Sequence, residues 1–303
     1  MDPSAKGSEA PPGLNARSSL RVAIDAFQPY MQQRNFSPHT INAFNSDLQI
    51  LGDFVNVGTA VGDIDTRTLN HFVRWLTSGR GVPCNAKSLA RRVTTLKVFF
   101  GWLTETGVLA EDPAAPVVHR PVLLPPPRCL SDGEVERVLA ATQARRMAQP
   151  PDARPHLLVT LLLHTGIKKG ECMAIVLNHI DLSDPDQPVL WIRYADPHRR
   201  HKERRLRLPS AWPTVLAEYC EQYRPQEHLF PCTARNLEYV LRDVAQWAGI
   251  EDGLSFETLR WTCAVRDYRA GMEGDRLRQK LGLSKISWRE VGPKIAQLAG
   301  EPL

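Results

Sequence analysis

The sequence predicts a mainly α protein with a small antiparallel sheet (α+β), built as two domains. Three observations carry this. Before residue 105 the apolar residues recur at helical spacing in four successive stripes, with little strand signal. A proline-dense stretch from Asp112 to Arg128 is unsuited to helix or central strand. Beyond it the helical period returns, broken by one pair of strand-like runs around residues 188–208. The expected organisation is a disordered tail over 1–18, a helical domain over 19–111, a stiff extended linker over 112–129 and a second domain over 130–303.

Each element has its own warrant. Leu20, Ile24, Phe27 and Met31 share one face of a first helix. Ser37 and Pro38 are a start signal, cap then first helical position, for a second helix striped by Ile41, Phe44, Leu48, Leu51 and Val55. Thr66 is the expected cap of a third, carrying Leu69, Phe72 and Leu76. A fourth, Ala86 to about Thr104, buries Leu89, Val93, Leu96, Phe99, Phe100 and Leu103. Its opposite face shows Lys87, Arg91, Thr94 and Thr95, with Arg92 and Lys97 beside it: a solvated face, or one that lays cations and hydroxyls on phosphates. Ser131 to Glu134 reads as a capping box opening the second domain. Pro188 to Tyr194 reads as a strand and Arg199 to Leu208 as its hairpin partner, enclosing the basic run HRRHKERRLR. Further helices are expected over Ala211–Tyr223, Ala234–Trp247, Phe256 to about Gly271 and Arg276–Leu281, and a last segment, Val291–Leu298, could pack in cis or exchange between protomers.

Composition narrows the function classes. The 303 residues are 43% hydrophobic, and 38 Lys+Arg against 33 Asp+Glu give +5 and a pI near 8.9, which permits an anionic partner without demanding one. Six cysteines form no CxxC pair, so neither a disulfide framework nor a zinc site is expected; reduced thiols and a cytoplasmic setting are. No cofactor or metal is called for. No apolar run approaches the ~20 residues of a membrane helix, and no signal-type segment opens the chain.

The stretch LLVTLLLHTGIKKGECMAIVLNHIDL, Leu157 to Leu182, organises the rest. Leu158, Leu161, Leu162 and Thr165 begin a buried helix, Gly166 is placed to end it in a left-handed cap, and Lys168, Lys169 and Glu171 form a cationic turn before a run leading into strand. This resembles the tyrosine recombinase (phage integrase) family, whose box reads roughly TGLRxSELLALxWxDID. Thr165-Gly166, Glu171, Ala174 and Ile180-Asp181 match at unbroken spacing, and the basic hairpin, HLFP, LRWT and the following Leu281-Gly282 fall in family order.

The resemblance implies a helical SAM-like core-binding domain whose last long helix lies against DNA, followed by a catalytic-fold domain. It also implies a site: two arginines clamping phosphate oxygens, a hairpin lysine serving the leaving oxygen, two further polar positions and a tyrosine nucleophile. Here the first arginine falls on Lys168, the lysine on Lys202, a histidine on Glu257, the second arginine on Arg260, another histidine on Leu283, and the tyrosine at or near Gly292. Four of these six positions are replaced. Tyr268, on the helix of Arg260, is the last tyrosine in the sequence, and Ser287 has no base beside it. Arg260 could alternatively be tied in an ion pair with Glu257 or Glu171.

The expectation is therefore a catalytically inactive, recombinase-like binder of double-stranded DNA, architectural or accessory to recombination, partnered by itself or by an active recombinase and by no membrane. Its expected DNA contacts are Lys87, Arg91, Thr94, Lys168, Arg199, Arg200, Lys202, Arg204 and Arg260. The alternatives are an active recombinase with a displaced nucleophile, and a protein-interaction module without DNA binding.

Overall fold

A computed structural model describes residues 11–82, 84–118, 126–184 and 186–300. The chain divides into two compact units, Met1–Leu124 and Pro125–Leu303.

Among the described residues the first unit holds four helices: α1 (Leu20–Gln33), α2 (Pro38–Val55), α3 (Thr66–Ser78) and α4 (Ala86–Glu105), with a 3-10 turn at Val61–Asp63. Ser37 caps α2 as its sequence requires, with Pro38 in the first turn. The cap of α3 is Asp65 rather than Thr66: its carboxylate accepts from the Thr68 N–H at 2.7 Å, and Thr66 is already helical. Phe27, Phe72, Phe99 and Phe100 are fully buried, and Phe27 meets Phe99 edge-on at 5.2 Å.

Residues 11–18 and 112–118 are more ordered than the sequence suggested. Residues 11–18, expected within a disordered tail, pack down: Leu14 enters the core and the Ala16 carbonyl accepts from Gly62 N–H. Residues 1–10 lie outside those described. Where the linker was expected to begin, Asp112 accepts from the Ala114 N–H, Thr66 donates to the Pro113 carbonyl, and Ala114 and Val117 are fully buried. Two small apolar side chains among the prolines are enough to anchor the segment; residues 119–125 of the expected linker lie outside those described.

In the second unit Arg128 is already engaged, pairing with Glu134 and Asp252, and Leu130 N–H donates to Thr262. The elements are α5 (Asp132–Arg146), α6 (Arg154–Thr165), α7 (Lys169–Met173), β1 (Ile180–Asp181), β2 (Val189–Ile192), β3 (Arg204–Arg207), α8 (Trp212–Tyr223), α9 (Ala234–Trp247), α10 (Phe256–Arg269), α11 (Gly274–Lys280) and α12 (Lys285–Ala299). The capping box of Ser131 and Glu134 opens α5. Helix α6 is buried almost all round, Leu157 to Leu163 contributing five leucine and valine side chains at zero exposure, and is enclosed by α5, α8, α9 and α10. Gly166 ends it at φ 58°; a Cβ there would lie 3.0 Å from Leu281 and 3.1 Å from Cys263, so the turn needs glycine for conformation and for room.

The sheet is antiparallel in the order β1-β2-β3, with Leu190 opposite Leu206 on the core side and Trp191 opposite Arg205 outside. The mainly α architecture with a small antiparallel sheet is thus the observed one. The hairpin partner is shorter than expected. Pro197–Lys202 coils into a 3-10 turn, which Pro197 and the Asp196 carboxylate, accepting from His198 N–H, initiate; only Arg204–Arg207 pairs. The run after Ile175 likewise yields only two strand residues.

Candidate functional site

The left-handed turn at Gly166 brings Lys168 to the start of α7, with its backbone N–H held at 2.8 Å by Glu171. Glu171 is the electrostatic centre of the unit. Arg204 grips it with both terminal nitrogens, at 3.1 and 2.8 Å, and the Tyr194 hydroxyl donates to the same carboxylate. The side chains of Arg204 and Glu171 are only 8% and 2% exposed. Burial alone would raise the Glu171 pKa, but the Arg204 fork, its charge, the Lys168 amide and Tyr194 together hold it at about 2. The Arg204 Nε also donates to the Lys280 carbonyl at 2.7 Å. Arg204, expected among the DNA contacts, is therefore committed inside the protein: strand alternation turns it inward with Leu206, where it meets Glu171.

Arg260, on the first turns of α10, donates to the Gly166 carbonyl and, at 2.6 Å, to that of Leu281. It is anchored by backbone oxygens rather than by the ion pair with Glu257 or Glu171 raised as an alternative. Burial pulls its pKa down, with Glu171 opposing and Arg204 adding to the effect. Lys168 is likewise lowered by burial, opposed by Glu171 and reinforced by Arg260, Lys202 and Arg204. After burial and the opposing Glu171 charge, repulsion among these cations adds to the lowering.

A cleft of about 580 Å³ opens here, and Lys168, Glu257, Arg260 and Leu283 all line it. Lys202 lines a neighbouring hollow together with Leu283 and Ser284. Five of the six positions singled out by sequence thus meet around two adjoining depressions. The sixth, Gly292, lies on α12 and lines neither. Its Cα is roofed by Trp288: an added Cβ would sit 3.0 Å from the indole Cε2 and 3.2 Å from Nε1.

Three other thiol or hydroxyl groups of this unit have distinct surroundings. Cys263 is buried, which pushes its thiol up to about 12. Ser287 is exposed, and its hydroxyl lies 3.0 Å from that of Ser284, the cap of α12. Tyr194 brings a phenol into the network, but burial and then the Glu171 contact raise its pKa, so it serves as a donor. Among the described residues no cluster of His, Cys, Asp and Glu could hold a metal ion, and no helix is long and apolar enough to cross a membrane.

The remaining expected contacts separate into exposed and engaged groups. Lys87, Thr94, Arg199 and Arg200 are exposed, with the Arg199 guanidinium 4.6 Å from the centre of the Tyr194 ring. In the first unit Arg91 and Arg92 both pair with Asp47, at 3.1 and 3.3 Å, and Thr95 is fully buried, donating to the same carboxylate at 3.0 Å. Arg91 and Thr95 are therefore not part of an open cationic face. Asp47 sits among apolar stripe residues of α2, four positions from Leu51, and an acidic residue on a buried face facing an arginine-bearing helix was the available signal. Trp288 was overlooked too, although it stands one helical turn before Gly292.

Comparison with known proteins bears on this arrangement. The N-terminal SAM-like domain of phage integrases matches residues 24–107, and the phage integrase family matches residues 128–289, stopping short of Gly292. Tyrosine recombinase XerD of Listeria monocytogenes serotype 4b (strain F2365) is 23% identical over 280 residues, covering 88% of this chain and 91% of its own. Tyrosine recombinase XerC of Mycobacterium sp. (strain KMS) is 30% identical over 166 residues, 54% of this chain and 55% of its own. In structure, XerH site-specific recombinase bound to palindromic difH substrate superposes with a TM-score of 0.72 at 14% identity, over 96% of each chain. A lambda integrase dimer bound to a COC' core site gives 0.70 at 15% identity, over 94% of this chain and 81% of that one. At such identities the likeness is one of fold.

Proposed function

Since the chain belongs to the phage integrase family, we propose that it binds double-stranded DNA and holds a phosphate in its recombinase-type site without cutting the strand, as an architectural or accessory factor in recombination. One observation carries the reading: Lys168, Lys202 and Arg260 converge on the cleft and its neighbour, while Gly292, at or near which the resemblance puts the family's nucleophile, lies under the Trp288 indole. The cations supply attraction and orientation for phosphate oxygens. Lys168 keeps the charge of the first arginine and loses its planar fork. Glu257 adds a negative charge at the cleft, and Leu283 offers no donor. Exposed Lys87 and Thr94 in one unit, and exposed Arg199 and Arg200 with half-buried Lys202 in the other, give both units contacts for a duplex, consistent with a protein that grips DNA through two joined domains. A second copy or an active recombinase is the protein partner this role implies.

Two measurements test this. Binding to duplex should weaken steeply with salt, log K falling by about 0.9 per phosphate neutralised. Incubation with nicked duplexes followed by denaturing electrophoresis should show no protein–DNA adduct. An adduct abolished by Tyr194→Phe, Tyr268→Phe or Ser287→Ala would establish the rival reading, an active recombinase with a displaced nucleophile. Absence of salt-sensitive binding would favour a protein-interaction module. Gly292→Tyr should remain inert in the same assay, because the new side chain meets Trp288 and because clamp, acid and nucleophile act jointly.

A further inference from the structure

The cleft has a property that a phosphodiester does not use. Apart from its charged residues and Ser255 its walls are apolar: Leu254, Phe256, Trp261, Leu283, Val291 and Ile295 all line it. One of these walls, Leu283, is itself one of the replaced positions. Leu283 replaces a polar position with a branched hydrocarbon, and α12 faces the cleft with Val291 and Ile295 while the glycine beside Val291 is covered by Trp288. The cations are distributed unevenly. Lys169 is paired with Glu238 at 2.8 Å, and Glu257 is exposed. Lys168 and Arg260 are half-buried, and Arg260 spends only part of its donor set on the Gly166 and Leu281 carbonyls. A volume near 580 Å³, walls mostly apolar and a few convergent polar groups at one side are the attributes of a small-molecule site.

We propose that this cleft binds a small amphiphilic anion, a carboxylate or phosphomonoester on an aromatic or branched-aliphatic body, with the head on Lys168 and Arg260 and the body against Leu283, Trp261 and Val291. The head group occupies the place of a DNA phosphate, so the ligand displaces the duplex; this second statement rests on the DNA-binding reading above, whereas the ligand site does not. Charge complementarity selects the head: two cations that lie among apolar neighbours gain more from an anion than the same cations in water, because the surroundings screen them less. The walls select the body, since inorganic phosphate leaves them wet.

The test is a calorimetric titration of the full chain with sodium 4-phenylbutyrate, its neutral amide 4-phenylbutanamide, and inorganic phosphate. The carboxylate should bind about tenfold or more tightly than the amide, the worth of a charge-assisted hydrogen bond, and more tightly than inorganic phosphate. Lys168→Gln should level carboxylate and amide, and Val291→Trp, which fills the wall from a half-buried position, should weaken both. Equal affinity for carboxylate and amide, or for phenylbutyrate and phosphate, overturns the proposal. So does a concentration-dependent dimer in which phenylbutyrate no longer binds, which would make a second copy the occupant. A parallel competition against a duplex at low salt should raise its apparent Kd as phenylbutyrate is added. Failure of the chain to bind duplex at all would sink the DNA reading while leaving the titration to decide the ligand site.

Discussion

Two buried carboxylates, one in each unit, are surrounded by arginines drawn from the same kind of basic stretch, and they titrate in opposite directions. Asp47 and Glu171 have equally hidden side chains, 2% exposed in both. At Glu171 the donors arrive together: both terminal nitrogens of one buried arginine, a backbone N–H and a phenol, and the pKa falls to about 2. At Asp47 burial wins and the pKa rises, despite a hydrogen bond from Thr95 and the charges of Arg91 and Arg92. Arg91 and Arg92 each offer one contact, and the Arg91 side chain is 39% exposed, so water competes for it. Counting cations near an anion does not give the sign of the effect; the fork geometry and the desolvation of the donor do.

Breaking the stronger constellation should produce the largest effect. Glu171→Gln leaves the Arg204 guanidinium buried without its counter-ion and should cost about 3–5 kcal/mol in urea unfolding at neutral pH. The folded pKa lies below the ordinary 4.5, so the contribution is fully present above pH 4.5 and is lost as pH falls toward about 2. The deficit of the variant should shrink over that window. A deficit that stays constant from pH 6 to pH 2.5 would show that the network is held by packing rather than by charge.

A sharper division concerns two neighbours in the hairpin. Lys202→Ala should lower the salt slope of duplex binding by about one and leave stability within about 0.5 kcal/mol. Arg204→Ala should do the reverse, destabilising about as much as Glu171→Gln while the folded fraction keeps its slope. If Arg204→Ala changes the slope and Lys202→Ala does not, the assignment of inward and outward cations is inverted.

The smallest effect belongs to Asp47→Asn. A carboxylate whose folded pKa is raised above 3.8 contributes most in its neutral form, below that pH, and the contribution is lost as pH rises through the folded value. An amide of the same shape should therefore cost within about 1 kcal/mol at pH 7. The difference from wild type should move in favour of wild type on acidification, opposite in direction to Glu171→Gln. Chemical denaturation at pH 7 and pH 3 checks this.

Helix spacing, the Ser37-Pro38 start, the Ser131–Glu134 box and the glycine stop at 166 were legible in sequence, because each is decided within a few residues. What was not legible depends on partners distant in the chain. Whether Arg91 or Arg204 points to solvent or inward depends on Asp47, 44 positions earlier, and Glu171, 33 positions earlier. Runs of basic residues look uniform until strand alternation and helix phase sort them. The hairpin was overextended for a related reason: Pro197 and Asp196 make a local turn that outweighs the strand-like composition on either side. The positions of the candidate site could be placed on the chain from the family box, whereas the roof over Gly292 was readable only from the i, i+4 spacing of Trp288 once a helix is assumed there.

The indole of Trp288 also bears on how this site could change over time. Any path to a tyrosine at position 292 has two possible first steps. Placing tyrosine first meets an aromatic neighbour one turn away, in a helix whose middle already carries Gly292-Pro293. Shortening Trp288 first removes the side chain that lies over both Gly274 and Gly292, loosening α12 against α11 before any new function exists. Each single step disturbs the packing of α12 against Trp288 or α11 before both changes are in place. The contact couples the two positions, so that what position 292 can hold depends on the side chain at 288.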